Sequence, residues 1–143
     1  MDYSDVFLRY AARHTWTRLA PSPIHGIGVF ALQEIPPNTD PFPDCQNLFK
    51  DIPIESLDHL PIVVQKMVKD FLYHDEERVW IPNLTPNQIN ISFFLNSSNN
   101  PNCEHHENGR ITTLRKIRAG EELTHCYQFQ EKDEQRWESS KGS

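Results

Sequence analysis

Residues 90–127 constrain the fold more than any other part of the chain: NISFFLNSSNNPNCEHHENGRITTLRKIRAGEELTHCY. The first part, 90–102, is an apolar run closed by a polar turn that Pro101 stops. Proline cannot continue a helix or donate to a strand ladder. The second part, 110–127, reads as two strands joined by a turn and ends on Tyr127. Pattern alone predicts a β-hairpin beside a buried segment.

Composition agrees with short elements. Eleven prolines against five glycines in 143 residues imply many fixed turns and few long regular elements. The length fits one domain around one core. No apolar run nears the roughly 20 residues of a membrane span. The acidic, amphipathic start MDYSDVFLRY lacks the features of a secretory signal. A soluble, intracellular protein without membrane contact is expected, nuclear or cytoplasmic. Cys45, Cys103 and Cys126 cannot all pair with one another, so no disulfide framework is expected. In that setting the acceptor triplets at Asn83, Asn90 and Asn96 read as chance. A net charge of −6 argues against direct nucleic-acid binding and suits a basic peptide partner.

From the start, residues 3–14 predict a packing helix with Val6, Phe7, Tyr10 and Ala11 on one face and Ser4 or Asp5 as its cap. Residues 15–20 alternate weakly, as a strand that Pro21-Ser22-Pro23 breaks. Gly26-Ile27-Gly28 then opens into a β-branched and aromatic run, a turn entering a strand. Paired glycines would let a ligand approach the main chain. The pair lacks the third glycine and following helix of a dinucleotide fingerprint. Residues 33–55 read as loops with one short strand near Leu48 and Phe49. Residues 58–74 predict a helix capped by Asp58, with Pro61 in its first turn and a core stripe of Leu60, Val63, Val64, Met67, Val68, Phe71 and Leu72. Asp75-Glu76-Glu77-Arg78 reads as a solvated exit, and 82–86 as a turn.

The central stretch resembles the core motif of SET-domain protein lysine methyltransferases. Asn90, Ser92, Phe94, Leu95, Asn96, Ser98, Pro101, Asn102 and Cys103 stand in register with it. GEELTHCY at 120–127 resembles the family's second motif, which ends in the catalytic tyrosine, and Gly26-Ile27-Gly28-Val29-Phe30-Ala31 resembles its N-terminal turn and strand. The three blocks come in the family's order and span about residues 15–138.

The resemblance implies a mainly β SET-domain fold: several small, mostly antiparallel sheets, a helical insert and a C-terminal pseudoknot. It implies a single domain over 1–143. Its parts would be an N-terminal helix (1–14), an N-terminal SET part (15–55), the insert (56–86), the C-terminal SET core (87–129) and a tail (130–143). It implies methyl transfer from S-adenosylmethionine to lysine of a protein, with a histone-like basic tail as first substrate and a place in chromatin regulation. Tyr127 would be catalytic. Gly26, Ile27, Gly28, Asn96, Ser97, Tyr127 and Trp137 would hold the cofactor, with Trp137 stacking on the adenine or closing the channel. Phe93, Phe94 and Phe129 are candidates for core or channel wall. The chain departs from the family at Ser97, where a histidine is usual, at Phe93 for arginine and at Gln128 for glycine. Ser97 and Gln128 favour an alternative, a non-catalytic SET module that binds a peptide or protein partner. The family's cysteine cluster for zinc is missing, and His105, His106, His125, Cys103 and Cys126 lack paired zinc spacing, so no metal is expected.

Overall fold

The computed structural model describes residues 2–45 and 47–126. Its elements are α1 (Tyr3–His14), β1 (Thr17–Pro21), β2 (Ile27–Ala31), β3 (Phe49–Pro53), a 3-10 segment (Ile54–His59), α2 (Ile62–Phe71), β4 (Arg78–Pro82), 3-10 turns at Pro86–Gln88 and Ile91–Phe94, β5 (Asn96–Ser97), β6 (Cys103–His105), β7 (Ile111–Thr113) and β8 (Glu122–His125). This is a mainly β chain of small sheets with short helices, as expected.

The largest sheet has the order β1-β2-β8-β5. β1 and β2 form an antiparallel hairpin, and β8 lies antiparallel on the other side of β2, with Val29 facing Leu123. β5 joins the far edge parallel to β8. The Val29–Leu123 pair places two apolar side chains together on one face, the contact that stabilises a sheet most directly. Ile35 and Ile117 add an isolated bridge beside it, closed by reciprocal amide bonds of 2.8 and 2.9 Å. These four residues are wholly buried and anchor a core that also holds Ala31, Phe42, Leu95, Cys103 and Ile111.

β3 and β4 make a separate two-stranded sheet, which packs with α2 around a second, smaller core of Leu57, Val68 and Val79. Pro53 and Pro82 end the two strands; neither can donate to a ladder, so the sheet stays short.

The structure corrects several sequence expectations. α1 forms over the predicted residues but buries none of them; Phe7 is 71% exposed. Its cap is Asp2, whose side chain accepts from the Ser4 amide, and Arg13 and His14 complement the last turn. Local capping, not packing, shapes this helix. The predicted helix at 58–74 is two pieces, because Pro61 takes an extended ψ of 146° and starts α2 only at Ile62. Asp58 therefore caps nothing, and Val63 points outward at 77% exposure. β4 falls where an acidic exit and a turn were expected: Asp75 accepts from the Glu77 and Arg78 amides, and this Asx turn launches the strand.

Within the described part of the expected hairpin, residues 110–126, the strands do not pair with each other. β7 pairs with β6, while β8 leaves for the main sheet. The link between them is captured on the way: the Gly120 amide donates to Ala31 O and the Ala31 amide to Glu121 O. The apolar run at 91–94, expected as a buried segment, is a 3-10 turn in which only Ser92 is fully buried; Asn90 starts it, its side chain accepting from the Ser92 amide.

Candidate active site

The turn before β2 is built on Ser22. Its hydroxyl oxygen accepts from the Ile24 amide at 3.0 Å and the His25 amide at 3.4 Å, and the Ser22 amide donates to Gly26 O. Gly26 closes the turn with φ +47°, a left-handed conformation that glycine adopts without a Cβ penalty. Ile27, half-exposed, and Gly28, buried, then begin β2.

β5 brings Asn96 to this turn from 69 to 74 positions away. The Asn96 Nδ2 group donates to Glu122 Oε2 at 2.9 Å, with Ser22 Oγ and His25 O each at 3.1 Å and Ile27 O at 3.4 Å. Glu122, from β8, also accepts from the Ser22 hydroxyl at 2.8 and 2.9 Å. A Cβ on residue 28 would run into Glu122 Oε2 and stand 3.0 Å from Ser22 Cβ. Gly28 is thus needed first for a carboxylate of its own chain, where the sequence suggested room for a ligand.

The expected residues Gly26, Ile27, Gly28 and Asn96 therefore converge. Ser97 follows on β5, exposed, and pairs with His125 of β8. Tyr127, Gln128, Phe129 and Trp137 lie outside the described residues. Phe93 packs on Phe49 with ring centres 6.0 Å apart, and Phe94 meets Phe71 edge-on at 5.7 Å. Both serve packing here. Ser22 and Glu122 belong at the centre of the site, and sequence reasoning passed over both. Ser22 sat in a Pro-Ser-Pro break, and Glu122 in a motif read only for its tyrosine.

Asn102 secures β8 from the other side. Its Oδ1 accepts from the Thr124 amide at 2.8 Å and its Nδ2 donates to Glu122 O at 2.9 Å. Behind the strand, His105 Nε2 and His125 Nδ1 meet at 2.5 Å. A hydrogen bond there holds one proton, so one ring donates and the other accepts. Burial drives both imidazoles below their ordinary pKa: His105 to about 4, helped by His106, and His125 to about 3, helped by His105 and opposed by a bond with the Leu95 backbone. Burial likewise pushes the Cys103 thiol up to about 12, so it stays protonated.

The chemical character of the site is that of an acceptor. Around the turn stand the Glu122 carboxylate and the His25 and Ile27 carbonyls. The donors to Glu122 are a neutral hydroxyl and a neutral amide, and no ion pair among the described residues includes it. The family model of the SET domain matches residues 26–128, from the glycine turn to the end of the second motif. The chain belongs to the SET-domain family. SET-domain proteins are protein lysine methyltransferases and in general use S-adenosylmethionine. Among solved structures, a candidate histone methyltransferase of Plasmodium falciparum is 17% identical, the match covering 79% of this chain and 93% of that one at a TM-score of 0.48. No curated protein matches the chain. The acceptor-rich turn suits a SET cofactor that carries a sulfonium and an ammonium. No helix among the described residues is long and apolar enough to cross a membrane.

Proposed function

We propose that this protein is a single SET domain over 1–143 that transfers a methyl group from S-adenosylmethionine to a lysine of a protein substrate, with a basic, histone-like tail as the substrate class. The observation that carries this reading is the meeting of the Gly26–Gly28 turn, Asn96 and β8, in a chain whose next residue after Cys126 is Tyr127. The main chain at Gly26, Ile27 and Gly28 would hold the cofactor together with Asn96 and Ser97, and Trp137 would stack on its adenine. When bound, S-adenosylmethionine supplies a methyl group on a positively charged sulfur.

The lysine has to arrive as a neutral amine, though its ordinary pKa is about 10.4. An apolar channel disfavours the ammonium, and so does a sulfonium nearby; the proton leaves to solvent before attack. Held by Gly26, Ile27, Gly28, Asn96 and Ser97, the cofactor would supply its methyl group to that neutral amine. Tyr127 would orient the amine through its hydroxyl and need not act as a strong base, since its ordinary pKa is about 10. Positioning supplies most of the acceleration. The net charge of −6 suits a basic substrate.

Calorimetric titration with S-adenosylmethionine and its demethylated product tests the reading first. Saturable binding near one per chain supports it; no binding at millimolar ligand would turn the reading to a partner-binding SET module, the sense in which Ser97 and Gln128 point. Tyr127→Phe should then cut methyl transfer at least about a hundredfold, the scale of a lost positioning or acid–base group, while cofactor affinity stays within about threefold of the parent. Equal loss of both would remove Tyr127 from the transfer step.

A further inference from the structure

α1 carries an apolar face that stays open to water among the described residues: none of its residues is buried, and Tyr3 is 87%, Phe7 71% and Tyr10 48% exposed. A helix of 12 residues is marginal in water without packing, and a cap alone does not hold it. We propose that this face pairs with the same face of a second copy of the chain, the two α1 helices running antiparallel about a two-fold axis. The pairing does not depend on the methyl-transfer reading.

Tyr3, Phe7, Tyr10 and His14 recur at helical spacing and form one stripe, with Val6 beside it. The Tyr10 and His14 rings already lie together, centres 5.2 Å apart. Antiparallel pairing centred on this stripe sets Phe7 of one copy against Tyr10 of the other, and Tyr3 against His14. The charges select that direction. Asp2 and Asp5 stand at the start of the helix, and Arg9, Arg13 and His14 toward its end. Asp2 and Arg13 are about three helical turns apart, so both lie on the same flank of the stripe. Antiparallel helices bring Asp2 of each copy beside Arg13 of the other, at both ends of the contact, and oppose the helix dipoles. Parallel helices would set like charges side by side. No ion pair among the described residues uses Asp2, Asp5, Arg9 or Arg13, so these charges are available. Asp2 caps the helix through Oδ1 and keeps its second oxygen for the partner. The area fits a reversible dimer. At about 200 Å2 for a whole aromatic side chain, the three exposed rings offer roughly 400 Å2 per helix. With the flanking side chains the pair would cover about 800–1,000 Å2, the low end of specific interfaces.

Sedimentation equilibrium of the full chain, from about 2 to 300 µM, tests the pairing; monomer and dimer should exchange with a Kd in the micromolar range. Phe7→Glu and Tyr10→Lys each change an exposed side chain, so the monomer should keep its urea midpoint. Each should weaken self-association about tenfold or more, the scale of a lost aromatic anchor. Mixed in equal amounts, the two variants should associate with each other at least about threefold more tightly than either does with itself. The new carboxylate then faces the new ammonium across the antiparallel pair, while the second Phe7–Tyr10 contact stays intact. A chain that stays monomeric up to the highest concentration overturns the proposal, and the face then belongs to another segment of the chain or to a different protein. A dimer that both variants leave unchanged overturns it too, since the contact would lie elsewhere. Mixing without gain overturns the antiparallel direction. Should either variant fail to fold, Tyr3→Ser probes the same stripe, and unchanged association there overturns the proposal as well.

Discussion

Val29, Ile35, Ile117 and Leu123 are wholly closed off from water at the centre of the main core, whereas the second core buries Leu57, Val68 and Val79 and leaves a cavity of about 170 Å3 beside them. That cavity is walled by Met67, Phe71, Leu72, Ile81 and Leu84, among others. The two regions differ in how they are assembled. The closed core draws on β2, β8 and the 35–117 bridge, segments nearly a hundred residues apart in sequence. The second core draws almost wholly on residues 49–89, so β3 joins the insert expected at 56–86. Long-range strand pairing interlocks side chains from several directions, while a short local unit has too little surface to close around itself. The candidate site stands on the closed region, where rigid strands can hold Asn96 and Glu122 in place. The insert has the thinner packing expected of a segment that opens at lower cost.

The largest effect that could break this contrast is a truncation in each core. Leu123→Ala should lower unfolding free energy by about 3–5 kcal/mol, because its site is full on all sides. Val68→Ala should cost only about 1–2 kcal/mol, since it removes fewer atoms and borders a cavity already present. Denaturant melts of the two variants measure both. Equal costs would mean that the insert is packed as tightly as the sheet.

Acid comes next, and it acts on the closed region. His105 and His125 are buried there with pKa values depressed to about 4 and about 3 from an ordinary 6.5. Below 6.5 the unfolded chain takes up protons that the folded chain does not, so stability falls with pH. Between pH 6.5 and 4 the loss should be on the order of a few kcal/mol, read as a falling urea midpoint. Glu121 belongs to a lower window: its bond with Arg115 depresses its pKa below 4.5, so its share is kept above that value and lost further down. A midpoint flat from pH 7 to 5 would show that the two rings do not stay neutral in the folded protein.

The same contrast explains what the sequence made legible. The turn into β2 and the stop after the apolar run could be read because their signals are local: Gly26 at a left-handed φ and Pro101 as a stop; the Asn90 cap appears only in the folded chain. α1 was read to its residue limits and misjudged in its packing, because a helical stripe says that a face is apolar, not that anything covers it. The pairing of β7 and β8 could not be read. Whether β8 turns back on β7 or goes to β2 depends on Ala31 and Ile35, which capture residues 117–121 from far along the chain. Glu122 was hidden for the same reason: its partner Ser22 lies 100 positions away. Gly28 was singled out correctly and explained incompletely, since only the folded chain shows the carboxylate in its Cβ space. β4 was missed because an acidic run masked the Asx turn that starts it.

The smallest expected effect tests the insert from outside. On α2, Ile62 is 81% exposed and Val63 77% exposed, on the side away from Val68. An exposed isoleucine gains little from folding, because its surface is open to water before and after. Ile62→Lys should therefore change stability by less than about 0.5 kcal/mol, as surface substitutions usually do. A helix start is also the less favourable end for a cation, which adds a few tenths of a kcal/mol at most, about 0.3. Thermal melts at two protein concentrations measure this. A clear loss of stability that grows with concentration would mean that another molecule covers this face in solution. The insert would then owe part of its order to that contact, and its thin core would be the mark of a surface completed from outside.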